Sequence, residues 1–172
     1  MAEALGSKQK KRRFKEPQTL EETKMVVGQS IPKTTQYKTR WGVRIFENWR
    51  SQRNNKLPEC EVNPLGLNVS FVQTLDTPLT SMTKASLNFW LIKFIQELTD
   101  KDGAAYVEKT MYQIICCLKR YFETNGRADL NPLDTKDVVF QGFSQILDAE
   151  MKKSHRAGGQ LERCKEEKKA RY

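Results

Sequence analysis

The segment Tyr106–Asn125, YVEKTMYQIICCLKRYFETN, constrains the fold most, because at 100° per residue its apolar and polar side chains separate onto opposite faces of one helix. Val107, Met111, Ile114, Ile115, Leu118, Tyr121 and Phe122 form a stripe that must be buried against other elements. Diametrically opposite, Lys109, Gln113, Cys116 and Arg120 follow one another at spacings of four, three and four. Cationic and amide donors in such a row suit a DNA groove, and a polar face that meets only water is the ordinary alternative.

The rest of the middle of the chain reads as helices without a convincing strand. A first helix spans about Thr34 to Asn54, with Tyr37, Trp41, Ile45 and Trp49 at four-residue spacing, Phe46 alongside, and Arg40 and Arg44 on the opposite face. Breakers from Pro58 to Pro78 then make a connector, in which Leu67–Val72 is either extended loop or a short helical turn. A second helix begins with Thr83 or Ser81 as N-cap and runs to Thr99, its broad face carrying Leu87, Trp90, Leu91, Phe94, Ile95 and Leu98. Asp100-Lys-Asp102-Gly103 leads into the Tyr106–Asn125 helix, which should lie antiparallel to it and exit at Asn125-Gly126. Asp134 is the expected N-cap of a last helix lined by Val139, Phe140, Phe143, Ile146, Leu147 and Met151. Trp41, Trp49, Trp90 and Phe94 belong to the core of this all-α bundle of four to five helices and not to a cofactor site.

Composition matters chiefly through where the charge lies. The net charge of +9 divides as +4 over residues 1–33, +2 over 34–155 and +3 over 156–172. The three stretches read as a disordered basic arm, a helical domain and a polar charged tail. Lys8, Lys10, Lys11, Arg12, Arg13 and Lys15 read as a nuclear-import signal or a phosphate-binding arm. No apolar leader or membrane-length stretch is visible, so neither secretion nor a membrane is expected. Cys60, Cys116, Cys117 and Cys164 lack metal-ligand spacing, which predicts no zinc, no other metal and no disulfide. The one histidine, His155, reads as a cation at a fraying helix end rather than a catalytic base.

Several strings taken in order carry a resemblance: Thr39-Arg-Trp41 through Trp49, LNFWL from Leu87, Lys101-Asp-Gly103, Tyr112-Gln-Ile114, Asn125-Gly-Arg127 with Asp129-Leu-Asn131, and Phe143 to Lys152. Together they cover about residues 34 to 160 and resemble the Crypton-derived tyrosine-recombinase-like domain of zinc-finger MYM-type and glutamine-rich nuclear proteins. The resemblance implies a core-binding domain, the all-helical N-terminal half that clamps duplex DNA while a separate half cuts it in DNA integration and recombination.

In that family an Arg, a Lys, a His-x-x-Arg pair and a tyrosine nucleophile carry phosphoryl transfer, the cations stabilising charge on the transferring phosphate. Here His155 is followed directly by Arg156, and Tyr172 reads as tail and not nucleophile. The expectation is therefore a nuclear double-stranded-DNA-binding module that needs no cofactor and is not itself an enzyme. The expected contact residues are Arg40, Arg44, Lys109, Gln113, Lys119 and Arg120. The alternative is a protein-interaction module of a transcription or chromatin regulator whose DNA surface has decayed, favoured by the near-neutral charge of residues 34–155.

Overall fold

Among residues 14–54 and 72–169, which the computed structural model describes, five helices form: α1 Leu20–Ser30, α2 Lys33–Asn54, α3 Lys84–Glu97, α4 Glu108–Thr124 and α5 Gln141–Lys169. Single 3-10 turns at Leu79–Ser81 and Val138–Phe140 precede α3 and α5. Contacts divide the chain into two units, Met1–Lys33 and Thr34–Tyr172. The Lys8–Arg13 cations and Leu67 to Phe71 lie outside the described residues.

The first unit contains α1, inside the stretch read as a basic arm. Its start is set by a capping box that the charge count overlooked: Thr19 Oγ1 accepts from Glu22 N at 3.2 Å, and Glu22 Oε2 accepts from Thr19 N at 2.8 Å. The backbone N–H of Thr19, and then its hydroxyl, donate to that carboxyl, stabilise its ionised form and hold it below the usual carboxylate range. None of its residues is buried, and Leu20, Met25, Val26 and Val27 stand exposed.

In the second unit α3 is the central element. Leu87, Trp90, Leu91, Ile92, Phe94 and Ile95 are all buried, so this helix is apolar on most sides and must be surrounded. It packs most extensively on α5 and on the turn Val138–Phe140, while α4 also leans on α5. Thr83 is its N-cap, its side chain accepting from Ser86 N at 3.2 Å.

One polar side chain of α3 is deeply buried for a definite reason. Asn88 Oδ1 accepts from Phe143 N at 3.2 Å, satisfying a donor in the first turn of α5 that no intrahelical carbonyl can reach. Asn88→Ala removes that acceptor and leaves a buried N–H unpaired, which costs about 1–3 kcal/mol. The expected result is a lower urea midpoint with unchanged m-value; an unaltered midpoint would show that the bond contributes nothing.

The α4 stripe is as expected for Met111, Ile114, Ile115, Leu118 and Phe122, which are buried, with Tyr121 half-buried. Val107 departs from it and is 65% exposed. It is the N-cap, with φ −62° and ψ 143°, so its side chain does not follow the helical face. The exit falls at the expected place: Gly126 takes φ +74°, Gly126 N donates to Glu123 O at 3.2 Å, and Arg127 N donates to Phe122 O at 2.8 Å.

The start of α5 also differs from the sequence reading. Asp134 accepts from Lys136 N at 2.9 Å and holds a turn, whereas Asp137 caps the 3-10 turn by accepting from Val139 N at 3.0 Å. Asp137 also receives Lys84 Nζ at 2.9 Å, which joins the entry of α5 to the first residue of α3 and holds the Asp137 carboxyl below its usual range. Helix α5 then runs to Lys169, past the boundary read at 155, because the following residues are mostly strong helix formers such as Gln, Leu, Glu, Arg and Lys. His155 therefore sits within the helix and not at its fraying end, with Nδ1 3.3 Å from Glu108 Oε2 of α4.

Helix α2 closes the bundle through aromatic wedges. Phe46 is fully buried, and its ring meets Phe94 and Trp49 with centroids 5.1 and 5.2 Å apart, while Trp49 meets Phe94 at 5.3 Å. Trp49 Nε1 donates to Glu97 Oε2 at 2.9 Å, and Arg53, paired with the same carboxylate, lies over the rings of Trp49 and Trp90.

Candidate nucleic-acid interface

Helices α2 and α4 meet at one close approach, Gly42 against Cys117. A Cβ built on Gly42 would lie 2.5 Å from Cys117 Cβ and 3.4 Å from Ile114 O, so only glycine lets the two backbones come this near. Cys117 is buried there, and its burial pushes the thiol pKa up. Arg120 and Lys38 act in the opposite direction on that thiol, which sets both cations beside the crossing.

Lys109, Gln113 and Arg120 are exposed and Cys116 is half-exposed, so the polar row of α4 does face outward over about 16 Å of helix. Among the described residues, Lys109 and Arg120 make no ion pair. Both carboxylates of α4 are engaged: Glu108 faces His155, and Glu123 receives Lys119 at 3.4 Å. Lys119 is half-buried and tied up in that pair, which sets it apart from the open row.

Arg40 and Arg44 are also exposed, but they point elsewhere. Each lies about 160° around α2 from Gly42, so both project from the side of α2 that faces away from α4. Exposed Tyr37, Asn48 and Ser51 continue the same outer row. The α2 cation beside the crossing is Lys38, about 40° from Gly42, which the sequence reading did not single out. The six expected contact residues thus divide between two surfaces. Of the six expected import residues, Lys15 alone is described, and it is exposed.

Charge within the domain is far from evenly spread. Helix α2, Lys33–Asn54, holds six cations, Lys33 at its start in the first unit and Lys38, Arg40, Arg44, Arg50 and Arg53 in the second, against the single carboxylate Glu47, which Arg50 pairs at 2.5 Å. Residues 55–155 hold eleven cations and thirteen carboxylates, and residues 156–172 add six and three, so the chain beyond α2 is close to neutral. Summing over the domain concealed this; counting helix by helix reveals it from the sequence alone.

The strings that carried the family resemblance serve mainly as scaffold. Arg127 donates to Met82 O at 3.2 Å and to Thr80 O, and pairs with Asp129 at 2.9 Å, stitching the exit of α4 to the segment before α3. Asp100 Oδ1 accepts from Asp102 N and Ala104 N, both at 2.9 Å, around Gly103 at φ +78°. Trp90 Nε1 donates to Gln73 O at 2.9 Å. Among the described residues no helix is long and apolar enough to cross a membrane, and no three His, Cys, Asp or Glu side chains converge to hold a metal.

Fold and surface together define an all-helical domain with its open cations on the outer sides of α2 and α4. Residues 36–154, more than half of the chain, match the family model of the QRICH1 domain. The chain belongs to that family, and the membership suggests a regulatory module. No curated protein and no solved structure matches it.

Proposed function

We propose that this chain is a nuclear regulatory module, of tyrosine-recombinase descent, that holds double-stranded DNA and does not itself cut it. The observation that carries this reading is the segregation of charge. Six cations on α2 stand against one carboxylate, itself paired by Arg50, while residues 55–172 are close to neutral, so positive charge is concentrated on that helix and a duplex would be drawn to it. Exposed Lys109 and Arg120 add phosphate-binding capacity on α4, and Gln113 between them has the donor and acceptor that a base edge can use.

The test is a duplex titration across salt concentrations with the full chain. Lys109→Ala together with Arg120→Ala should weaken binding and lower the salt slope by about two units. Unchanged affinity and slope would remove α4 from the interface. Loss of all affinity on deleting Lys8 to Lys15 would acquit the folded domain of DNA binding. The competing reading, a protein-interaction module, draws support from Leu20, Met25, Val26 and Val27 exposed together on α1.

A further inference from the structure

We infer that the DNA this domain holds carries unpaired bases, and that Tyr37 and Tyr112 stack on them beside the open cations, an inference that rests on the DNA-holding reading above. Aromatic side chains in the second unit otherwise serve packing. Among its described residues every Phe and Trp is buried or half-buried, and Tyr106 and Tyr121 lie against the core. Tyr37 and Tyr112 are the two exceptions, 64% and 45% exposed. Among the described residues neither ring meets another ring and neither phenol makes a hydrogen bond.

Both exposed tyrosines stand in the rows that carry the open cations. On α2, Tyr37 precedes exposed Arg40 by three residues, and Arg44 follows one turn further on. On α4, Tyr112 follows exposed Lys109 by three residues and adjoins Gln113. Side chains three apart on a helix are neighbours, with Cβ atoms about 5–6 Å apart, so each ring finds a cation on its own helix. A fully paired duplex offers such a ring little, because its bases lie on one another and show only their edges in the grooves. An unpaired base presents its π-face, and every base has one, so a tyrosine takes it whatever the sequence. With a base on the ring, its phosphate comes within reach of the neighbouring Arg or Lys, and the guanidinium of Arg40 can add a cation–π contact. Cations that follow the backbone, with aromatic rings between them for the bases, are what single-stranded segments require. The ligand assigned is therefore DNA in which a duplex is interrupted by an unpaired stretch.

The experiment titrates the full chain with two DNAs of equal length, one fully paired and one interrupted by a short run of unpaired thymidines. Wild type should bind the interrupted DNA more tightly. Tyr37→Ala with Tyr112→Ala should lose about fivefold or more on that DNA and nothing on the paired one. Tyr37→Phe with Tyr112→Phe keeps both ring faces and should match wild type on both. A second reading needs no variant: iododeoxyuridine placed in the unpaired run and irradiated in the wild-type complex should crosslink to Tyr37 and Tyr112, as mapped by mass spectrometry. Equal wild-type affinity for the two DNAs overturns the inference and leaves the DNA-holding reading intact. So does a preference that survives in the Ala pair, or crosslinking confined to other residues. Loss on paired DNA in the Phe pair would make the phenol oxygens phosphate contacts, which also overturns stacking. Absence of binding to either DNA by the wild type instead overturns the DNA-holding reading, and stacking with it.

Discussion

Phe94→Ala is expected to lower the free energy of unfolding by about 3–5 kcal/mol, as is usual for truncating a fully buried aromatic ring in a core. Phe94 is 0% exposed on the helix that most of the domain surrounds, and its ring makes edge contacts with both Phe46 and Trp49 of α2. The substitution deletes apolar surface from α3 and also unsupports the two aromatic wedges that attach α2. Against a typical domain stability of about 5–15 kcal/mol, much of the margin would be lost. Thermal and urea unfolding followed by circular dichroism read the change. Near-ultraviolet spectra should also show Trp49 losing its fixed environment. A midpoint within experimental error of wild type would mean that α2 is held by something other than this aromatic cluster.

Gly42→Ala should destabilise the domain by about 1–3 kcal/mol, the cost of forcing extra atoms into a packed contact. The sign is what makes the prediction useful. In a solvent-exposed helix the same change stabilises by about 1 kcal/mol, because glycine is a poor helix former. Here the added Cβ meets Cys117 Cβ at 2.5 Å, and a Cβ cannot swing aside as the tip of a long side chain does. Cys117→Gly removes the atom that clashes, so the double variant should lose less stability than the two single changes summed. Strict additivity in that cycle, or a rise in stability on Gly42→Ala alone, would show that α2 and α4 are not in backbone contact.

Local physics made most of the helices legible. The 3.6-residue recurrence of large apolar residues located α2, α3 and α4 to within a few residues, since a stripe of that period has no other way to be buried. Thr83 as N-cap and Gly126 as the left-handed exit were readable for the same reason: each follows from what one residue can do for its neighbouring backbone. Three features were misread where two local signals competed. Asp134 and Asp137 each accept from the backbone two residues on, and it is Asp137, also paired with Lys84 more than fifty residues away, that caps the turn before α5. Val107 fits the apolar period but stands outside the helix as its cap. In α1 the Thr19–Glu22 capping box outweighs the weak apolar pattern that made the segment look structureless.

The candidate surface was legible only in part. That Lys109, Gln113 and Arg120 share one side of a helix follows from spacing, and the helix needs no neighbours for that to be true. That Arg40 and Arg44 project from the side of α2 turned away from α4, that Lys38 and Arg120 both act on the Cys117 thiol, and that Lys119 is occupied by Glu123 depend on how α2 is laid across α4 and how each side chain is then surrounded. The sequence by itself determined an all-helical domain, the outward side of each helix and the concentration of cations on α2, because these follow from period and charge along the chain. Only the tertiary structure decided which outward sides are neighbours. Gly42 and Cys117 lie seventy-five residues apart, and which side of α2 is turned to α4 is set only once those two backbones touch.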